Sequence, residues 1–235
     1  MKQIFSSCGA NRHDDLQGIA NELNACLTIY QLDTPLRRAH FFAQVLQETN
    51  IDLQLQERFR YSAERLPTVF GYFKKNPEKA KEHGYCLATN LKGDGQPMCE
   101  RDHQQIANLA YGDQLGNKGI ASGDGWRFRG RGLLHLTGRD NYQRLQKWHD
   151  AQQALWPADK PDFLGQPDLL LSMKYAVRSA AHFWLEHKLY LHADGGSSAQ
   201  VVDNVTRVIN PYTDSNSKQK RRDHFERLWR GGSLN

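Results

Sequence analysis

The chain has 235 residues, which is long enough to bury a sizeable core in one domain or in one domain with a smaller lobe. Its hydrophobic share of 39% and aromatic share of 10% exclude a disordered chain. A formal net charge of +5 favours polyanionic partners, but the densest basic run, Lys218–Arg222, is too short for a nucleic-acid tail, and no base-reading motif is present.

The ends and cysteines of the sequence add expectations about location. The first residues lack the apolar core of a signal peptide, and no run of about 18 apolar residues occurs, so we expect a protein made in the cytoplasm without membrane insertion. The four cysteines, at positions 8, 26, 86 and 99, lack metal-type spacing. We therefore predict no metal or cofactor, and leave open whether Cys86 and Cys99 form a disulfide.

Helical spacing of apolar residues dominates the chain and predicts a mainly α fold. Between the helices we expect a short extended segment or loop at 50–60, a surface loop at 85–99, an irregular glycine-rich segment at 116–131 and a linker at 157–167. The predicted helices span residues 14–30, 35–48, 62–73, 77–83, 102–114, 139–149 with Thr137 as a candidate cap, 172–187, 199–209 and 217–229.

The helix that begins after Thr34 delivers a carboxylate to an apolar surface. Thr34 is a suitable N-cap and Pro35 suits the first helical position. Phe41, Val45 and Glu48 then fall at i, i+4 and i+7 on one face. Lost hydration and the negative end of the helix dipole both favour the protonated form of Glu48, as a general acid requires. A glutamate at a helix end is more often simply solvated.

The segment Gly123-Asp-Gly-Trp-Arg-Phe-Arg-Gly-Arg-Gly132 alternates glycines with aromatic and cationic side chains. Glycines allow close backbone approach to a ligand or helix, and arginines bind carboxylates with two parallel hydrogen bonds. A packed loop whose arginines neutralise buried acids is the alternative. A phosphate-binding loop is disfavoured because the spacing and the Lys-Ser/Thr pair that it needs are missing.

Several motifs in order resemble glycoside hydrolase family 19, and more narrowly its phage-type endolysins, which are related to chitinases. The resemblance spans about residues 35 to 230 and rests on Phe41–Thr49, Glu57 with Arg60–Glu64, Gly123–Trp126, Gly130–Tyr142, Ala176–Trp184 and Val201–Asn210. It implies a lysozyme-like, two-lobed helical fold with a central cleft, forming a single catalytic domain over 1–235 with a smaller lobe or lid within about 60–120. It also implies hydrolysis of β-1,4 bonds beside N-acetylated sugars.

The resemblance assigns roles to individual residues. Glu48 matches the general acid, Glu57 the general base, and Thr137 the hydroxyl residue that helps to hold the attacking water. Glu64 competes with Glu57 as base, although an ion pair with a neighbouring arginine is the more ordinary role for it. Arg221 matches an arginine of the last helix that supports the catalytic acids.

The expected substrate contacts lie in the same motifs and comprise Tyr61, Trp126, Arg131, His135, Asn141 and Asn210. His135 departs from the family, which commonly has Gln there, and Gln47 stands where His is frequent. The segment Lys81–Arg101 is longer than in compact endolysins. Asn210 is followed by Pro211 where the family often has glycine.

Elementary chemistry agrees with this assignment. An acid must be neutral to protonate the leaving oxygen, while its partner must stay ionised to polarise water. Glu48 on a semi-apolar helix and Glu57 on a polar loop meet these opposite needs. Since they come from different elements, we expect a separation that admits a water and therefore inversion at the anomeric carbon.

The leading hypothesis is a bacteriolytic glycosidase that cuts the glycan strands of peptidoglycan, acting on the cell wall or in the periplasm after release or delivery by another system. Chitin is the alternative substrate. A non-catalytic glycan-binding protein of the same fold and a nucleic-acid-binding domain are weaker alternatives. We expect a monomer that does not bind nucleic acid. The sequence leaves open whether an inhibitor or immunity protein binds the cleft.

Overall fold

The computed structural model describes residues 13–50, 52–85, 91–92, 99–232 and 234. No helix among them is long and apolar enough to cross a membrane. The α-helices are α1 (His13–Cys26), α2 (Pro35–Thr49), α3 (Leu66–Val69), α4 (Gly71–Lys75), α5 (Pro77–His83), α6 (Glu100–Tyr111), α7 (Asp124–Arg127), α8 (Arg139–Ala151), α9 (Met173–Glu186), α10 (Leu189–Ala193), α11 (Ala199–Ile209) and α12 (Ser215–Arg230). Short 3₁₀ turns cover Ile120–Ser122 and Pro167–Leu171.

The predicted mainly α class is confirmed. Within the described residues, β-structure is limited to isolated bridges, such as those that pair Arg131 with Gln56 and with Leu136. The chain divides into two compact units. Unit 1 contains the described residues of Met1–Gln56, Arg131–Leu136 and Asp168–Asn235, and unit 2 contains those of Glu57–Gly130 and Thr137–Pro167.

Unit 1 is built around α2, which begins as the sequence predicts. The hydroxyl of Thr34 accepts a hydrogen bond from the Arg37 amide at 3.2 Å, and Pro35 occupies the first helical position. Nine of the fifteen residues of α2 are buried. This helix is therefore enclosed over most of its surface and provides a rigid support for the side chains near its C-terminal end.

Aromatic and polar contacts fix α2 to its neighbours. Phe41 packs edge-on against Trp184 of α9, with ring centroids 5.6 Å apart, and both side chains are fully buried. The ring of His40 lies 4.3 Å from that of Phe225 on α12. Further along, the Gln47 amide donates to the Ser217 hydroxyl at 3.1 Å. Contacts to α12 thus run along most of α2.

A tight turn at Arg131–Leu136 also belongs to unit 1. The backbone groups of Arg131 and Leu136 exchange two hydrogen bonds, at 2.8 and 3.2 Å. Gly132 has a φ of 80°, and a Cβ there would meet the Ser179 hydroxyl at 2.4 Å, so glycine is required for both conformation and space. His135 also has a positive φ, 46°, which is uncommon for a residue with a side chain.

Unit 2 has its own aromatic core. The partly buried rings of Tyr61, Tyr72, Tyr111 and Trp126 surround this core. Its buried members come from α3, α4, α5, α6, the residue between α3 and α4, and the stretch that follows Glu57: Phe59, Leu66, Phe70, Phe73, Ala80, Ile106, Ala107 and Ala110.

The predicted linker at 157–167 is irregular but is not a linker. Phe163 is completely buried and packs edge-on against His149 of α8 at 5.5 Å. The side chain of Gln146 donates to the Pro161 carbonyl and accepts from the Phe163 amide. The buried ring of Phe163 and the side-chain amide of Gln146 therefore hold this segment against α8.

Other local predictions need correction. The single helix predicted at 62–73 is two short helices, because Phe70 is extended (φ −119°, ψ 127°) and separates α3 from α4. Thr137 does not cap α8, since Gly138 is the N-cap and makes no side-chain bond. The short helix α10 was not predicted.

The disulfide question and the N-terminal expectation lie largely outside the described residues, which exclude 1–12 and Cys86. Most of the loop predicted at 85–99 is outside them as well. Within the described residues Cys99 is a free, exposed thiol at the N-cap of α6, and its sulfur lies 3.3 Å from a carboxylate oxygen of Asp102.

Candidate active site

Glu48 lies in the last turn of α2 and continues the buried stripe of Phe41 and Val45, as predicted. Both of those side chains are 0% exposed, whereas the side chain of Glu48 is 18% exposed. The carboxylate is thus accessible at the end of an otherwise enclosed helix face.

The strongest neighbour of Glu48 is Arg221 of α12. Its Nη2 donates to Glu48 Oε1 at 2.6 Å, and the arginine side chain is only 2% exposed. The sequence suggested only burial and the helix dipole as influences on this carboxylate, whereas the structure adds a buried cation beside it. The support predicted for Arg221 therefore takes the form of a direct, charge-assisted hydrogen bond.

Gln44 and Thr206 complete this contact, and sequence reasoning missed both. Arg221 Nη1 donates to Gln44 Oε1 at 2.8 Å, while Gln44 Nε2 donates to the Thr206 hydroxyl at 3.1 Å. Thr206 in turn donates to the Val202 carbonyl at 2.9 Å. Gln44 and Thr206 are both 0% exposed, so they fix the guanidinium from its buried side.

His135 approaches Glu48 from the Arg131–Leu136 turn. Its Nε2 lies 2.9 Å from the carbonyl oxygen of Gln54, which requires a proton on Nε2. Its Nδ1 lies 4.0 Å from Glu48 Oε2. The two oxygens of Glu48 therefore differ: Oε1 is bound by Arg221, whereas Oε2 faces an imidazole that is too distant for a direct hydrogen bond.

Glu57, the second predicted carboxylate, belongs to unit 2 and is held by a phenol. The Tyr111 hydroxyl donates to Glu57 Oε1 at 2.9 Å, and the Glu57 amide donates to the Gly130 carbonyl, also at 2.9 Å. Burial raises the pKa of Tyr61 to about 12, and the negative charge of Glu57 adds to this shift. Both phenols are therefore protonated at neutral pH.

Glu64, the competing candidate for base, is exposed. The ion pair with a neighbouring arginine that the sequence suggested is absent among the described residues. Asp124, by contrast, has the structural role expected of it, because it accepts from the Lys118 amide at 3.1 Å and pairs with Arg139 at 3.3 Å.

Trp126 lies at the edge of the unit 2 core beside Phe59. The guanidinium carbon of Arg129 lies 3.9 Å from the centroid of its ring, a close cation–π contact. Arg129 Nη1 also donates to the Trp126 carbonyl at 3.2 Å. Because the Arg129 guanidinium covers part of the indole, only the remaining exposed surface of Trp126 is available for the predicted sugar contact.

The other side chains predicted to contact the substrate differ in how accessible they are. Arg131 is 1% exposed and pairs with the exposed Asp168 at 2.6 Å, so its guanidinium already has a carboxylate partner within unit 1. Asn141 Nδ2 donates to the Thr137 carbonyl at 2.6 Å. Asn210, at the C-cap of α11, is half-buried, and its side-chain amide makes no hydrogen bond within the described residues. Their predicted contacts with substrate stay predictions.

The residues that sequence reasoning missed differ in how visible they are. Gln44 stands four positions before Glu48, as an uncharged polar residue within an apolar stripe, and this is a readable signal. Tyr111 gives no such signal, since it lies 54 positions from its partner Glu57. Within the described part of the chain, no group of three or more His, Cys, Asp or Glu side chains is placed to hold a metal ion.

Comparison with known proteins supplies the family. A curated protein of Haemophilus influenzae, described as a glycosyl hydrolase family 19 domain-containing protein, is 30% identical to this chain over 195 residues. The match covers 83% of this chain and 80% of the relative. No family model matches.

The chain belongs to glycosyl hydrolase family 19. The resemblance stated from the motifs is confirmed at the level of the family, and the protein is thereby grouped with glycoside hydrolases. In this family 19 protein, unit 1 carries Glu48 with Arg221 and His135, and unit 2 carries Glu57 with Tyr111 and Tyr61.

Proposed function

We propose that this family 19 protein hydrolyses β-1,4 bonds in the glycan strands of peptidoglycan, with Glu48 as general acid and Glu57 as general base. The observation that carries the proposal is the environment of Glu48. Its Oε1 is held by a guanidinium that is itself fixed by Gln44 and Thr206, whereas its Oε2 is left to carry a proton.

The arrangement suits an acid that is regenerated in each cycle. Oε1 accepts from Arg221, so the transferable proton belongs on Oε2. As that proton moves to the leaving oxygen, negative charge develops on the carboxylate, and the adjacent guanidinium stabilises it. This stabilisation is larger in the transition state than in the ground state, which is the condition for a gain in rate.

Glu57 suits the complementary role. The Tyr111 hydroxyl is a neutral donor, and its hydrogen bond to Oε1 orients the carboxylate. An ionised carboxylate that polarises water on the opposite face of the sugar gives inversion at the anomeric carbon. Thr137 remains the proposed partner for that water.

Muropeptide analysis tests the substrate. Purified sacculi treated with the protein are expected to release fragments with a new reducing muramic acid or glucosamine by mass spectrometry, and early NMR spectra are expected to show the α-anomer at the new end. The Glu48→Gln variant is expected to lose at least about a hundredfold in rate, while Glu226→Gln, an exposed glutamate of α12, serves as its control. Release from chitin oligomers but not from sacculi would favour the alternative substrate.

Two further measurements separate the roles of the carboxylates. An aryl glycoside whose leaving group needs no protonation is expected to restore most of the rate of Glu48→Gln but not that of Glu57→Ala. Azide, a nucleophile that needs no base, is expected to rescue Glu57→Ala and to leave Glu48→Gln unchanged. Glu64→Gln is the control for position 57. The reverse pattern would exchange the two roles.

A further inference from the structure

Glu57 lies outside any helix, on the stretch between the bridge residue Gln56 and the core residue Phe59. The hydrogen bond from its amide to the Gly130 carbonyl fixes its backbone but leaves the side-chain torsions free. A carboxylate that must aim one oxygen at a water needs a further constraint. The Tyr111 hydroxyl supplies one at 2.9 Å from Oε1.

Tyr111 is itself rigidly held. It ends α6, and its ring packs edge-on against Phe70 at 5.6 Å and Phe59 at 6.0 Å. Its carbonyl accepts from the Asn117 side chain at 2.8 Å. Burial raises the pKa of the Tyr111 phenol well above its ordinary range, and the charge of Glu57 raises it further, so the hydroxyl is a donor throughout the working pH range.

We propose that Tyr111 is the positioning residue of the general base: its hydroxyl binds Glu57 Oε1 and thereby fixes the direction in which the carboxylate faces the attacking water. The inference rests on the proposed function. A neutral donor fits this task better than a cation does, because a cation would oppose proton uptake by the carboxylate as the reaction proceeds.

Tyr61 is a different kind of neighbour. The charge of Glu57 contributes to the raised pKa of Tyr61, yet the Tyr61 hydroxyl makes no hydrogen bond within the described residues. Its ring packs edge-on against Phe70 at 5.2 Å. Tyr61 is therefore left as the substrate contact predicted from the sequence, and Tyr111 alone of these two phenols binds Glu57.

The Tyr111→Phe variant removes the hydroxyl and keeps the ring in the core. We expect kcat to fall about 10- to 100-fold with KM changed less than about threefold, since the lost contact acts on the base and not on substrate binding. The acidic limb of the kcat pH profile is expected to move to higher pH, because the ionised carboxylate has lost a donor. Tyr72→Phe, the same change at another ring of this core, is expected to keep wild-type kinetics.

A double-mutant cycle distinguishes positioning from support of the fold. In a Glu57→Ala background, Tyr111→Phe is expected to reduce the residual or azide-rescued rate less than twofold, because its target is gone. A full additional loss in that background, or an unchanged kcat and pH profile in the single variant, would overturn the inference alone. Wild-type protein that releases no glycan would instead overturn the proposed function and this inference with it.

Discussion

The side chains around Glu48 show how burial and charge act against each other at single residues. The carboxylate continues an apolar stripe, yet it contacts a guanidinium that is 2% exposed. The free-energy cost of burying the Arg221 charge is in turn offset because Glu48 and Gln44 both accept hydrogen bonds from it. The acid and its support are thus interdependent, and neither is satisfied alone.

His40 gives a prediction at the same scale. This histidine of α2 is 0% exposed, its Nε2 lies 2.9 Å from the Gly196 carbonyl, and its Nδ1 has no hydrogen-bond partner within the described residues. Burial lowers the pKa of His40 to about 4, although the nearby charge of Asp194 opposes the shift. The unfolded chain therefore takes up this proton at higher pH than the folded chain does.

Stability should consequently fall as the pH is lowered from about 6.5 to about 4, with His40 contributing about 3 kcal/mol to the loss. Denaturant unfolding at pH 7.5 and pH 4.5 measures this loss in the free energy of unfolding. His40→Gln is expected to show a smaller pH dependence than the wild type, whereas His192→Gln, an exposed histidine of α10, is expected to match the wild type. Parallel pH dependence in the wild type and His40→Gln would contradict the prediction.

The carboxylate and the arginine of unit 1 were predictable from residue type and motif, but their geometry was not. Nothing in the sequence states that Arg221 reaches Glu48 across 173 positions, or that Gln44 orients it. Tyr111 was missed for the same reason, because long-range hydrogen bonds leave no local pattern. Glu64 shows the converse error, since a plausible neighbouring ion pair was inferred where none forms among the described residues.

At the scale of elements, helix bounds are predicted correctly from the sequence where one local conformational preference dominates. The Thr34–Pro35 start of α2 is an example, and the bounds of α5 and α11 agree with the predicted helices. The helix predicted at 62–73 failed because its apolar spacing continues through Phe70, whereas the core draws this residue into an extended conformation. Tertiary packing overrides periodicity in such short segments.

The Arg131–Leu136 turn gives the prediction at this scale. Gly132→Ala places a Cβ 2.4 Å from the Ser179 hydroxyl at a φ of 80°, and we expect a loss of about 2–4 kcal/mol in the free energy of unfolding. Gly123→Ala is the control, because its φ of 74° is similar but its Cβ meets nothing within 4 Å, so only about 1 kcal/mol is expected. Denaturant unfolding measures both losses.

A second measurement isolates the clash. Adding Ser179→Ala to Gly132→Ala removes the obstructing oxygen and should recover part of the loss, leaving the cost of the positive φ. Equal destabilisation by Gly132→Ala and Gly123→Ala would show that packing against α9 does not limit this position.

For the whole molecule, the net charge of +5 predicts a difference between substrates. Peptidoglycan in its wall is polyanionic, whereas chitin oligomers are neutral, so long-range attraction operates only with the wall. Raising the salt concentration from about 50 to about 500 mM is expected to slow hydrolysis of sacculi several-fold, with little effect on chitin oligomers at matched turnover. Equal salt dependence on both substrates would assign the effect to the catalytic centre.

The order of unit 1 along the chain has a consequence for synthesis. Glu48 is translated early, but Arg221 and Thr206, which complete its surroundings, come from the last two helices. A nascent or prematurely terminated polypeptide that lacks α12 therefore has no guanidinium beside Glu48. If Glu48 is the general acid proposed above, its arginine partner is present only when translation is nearly complete.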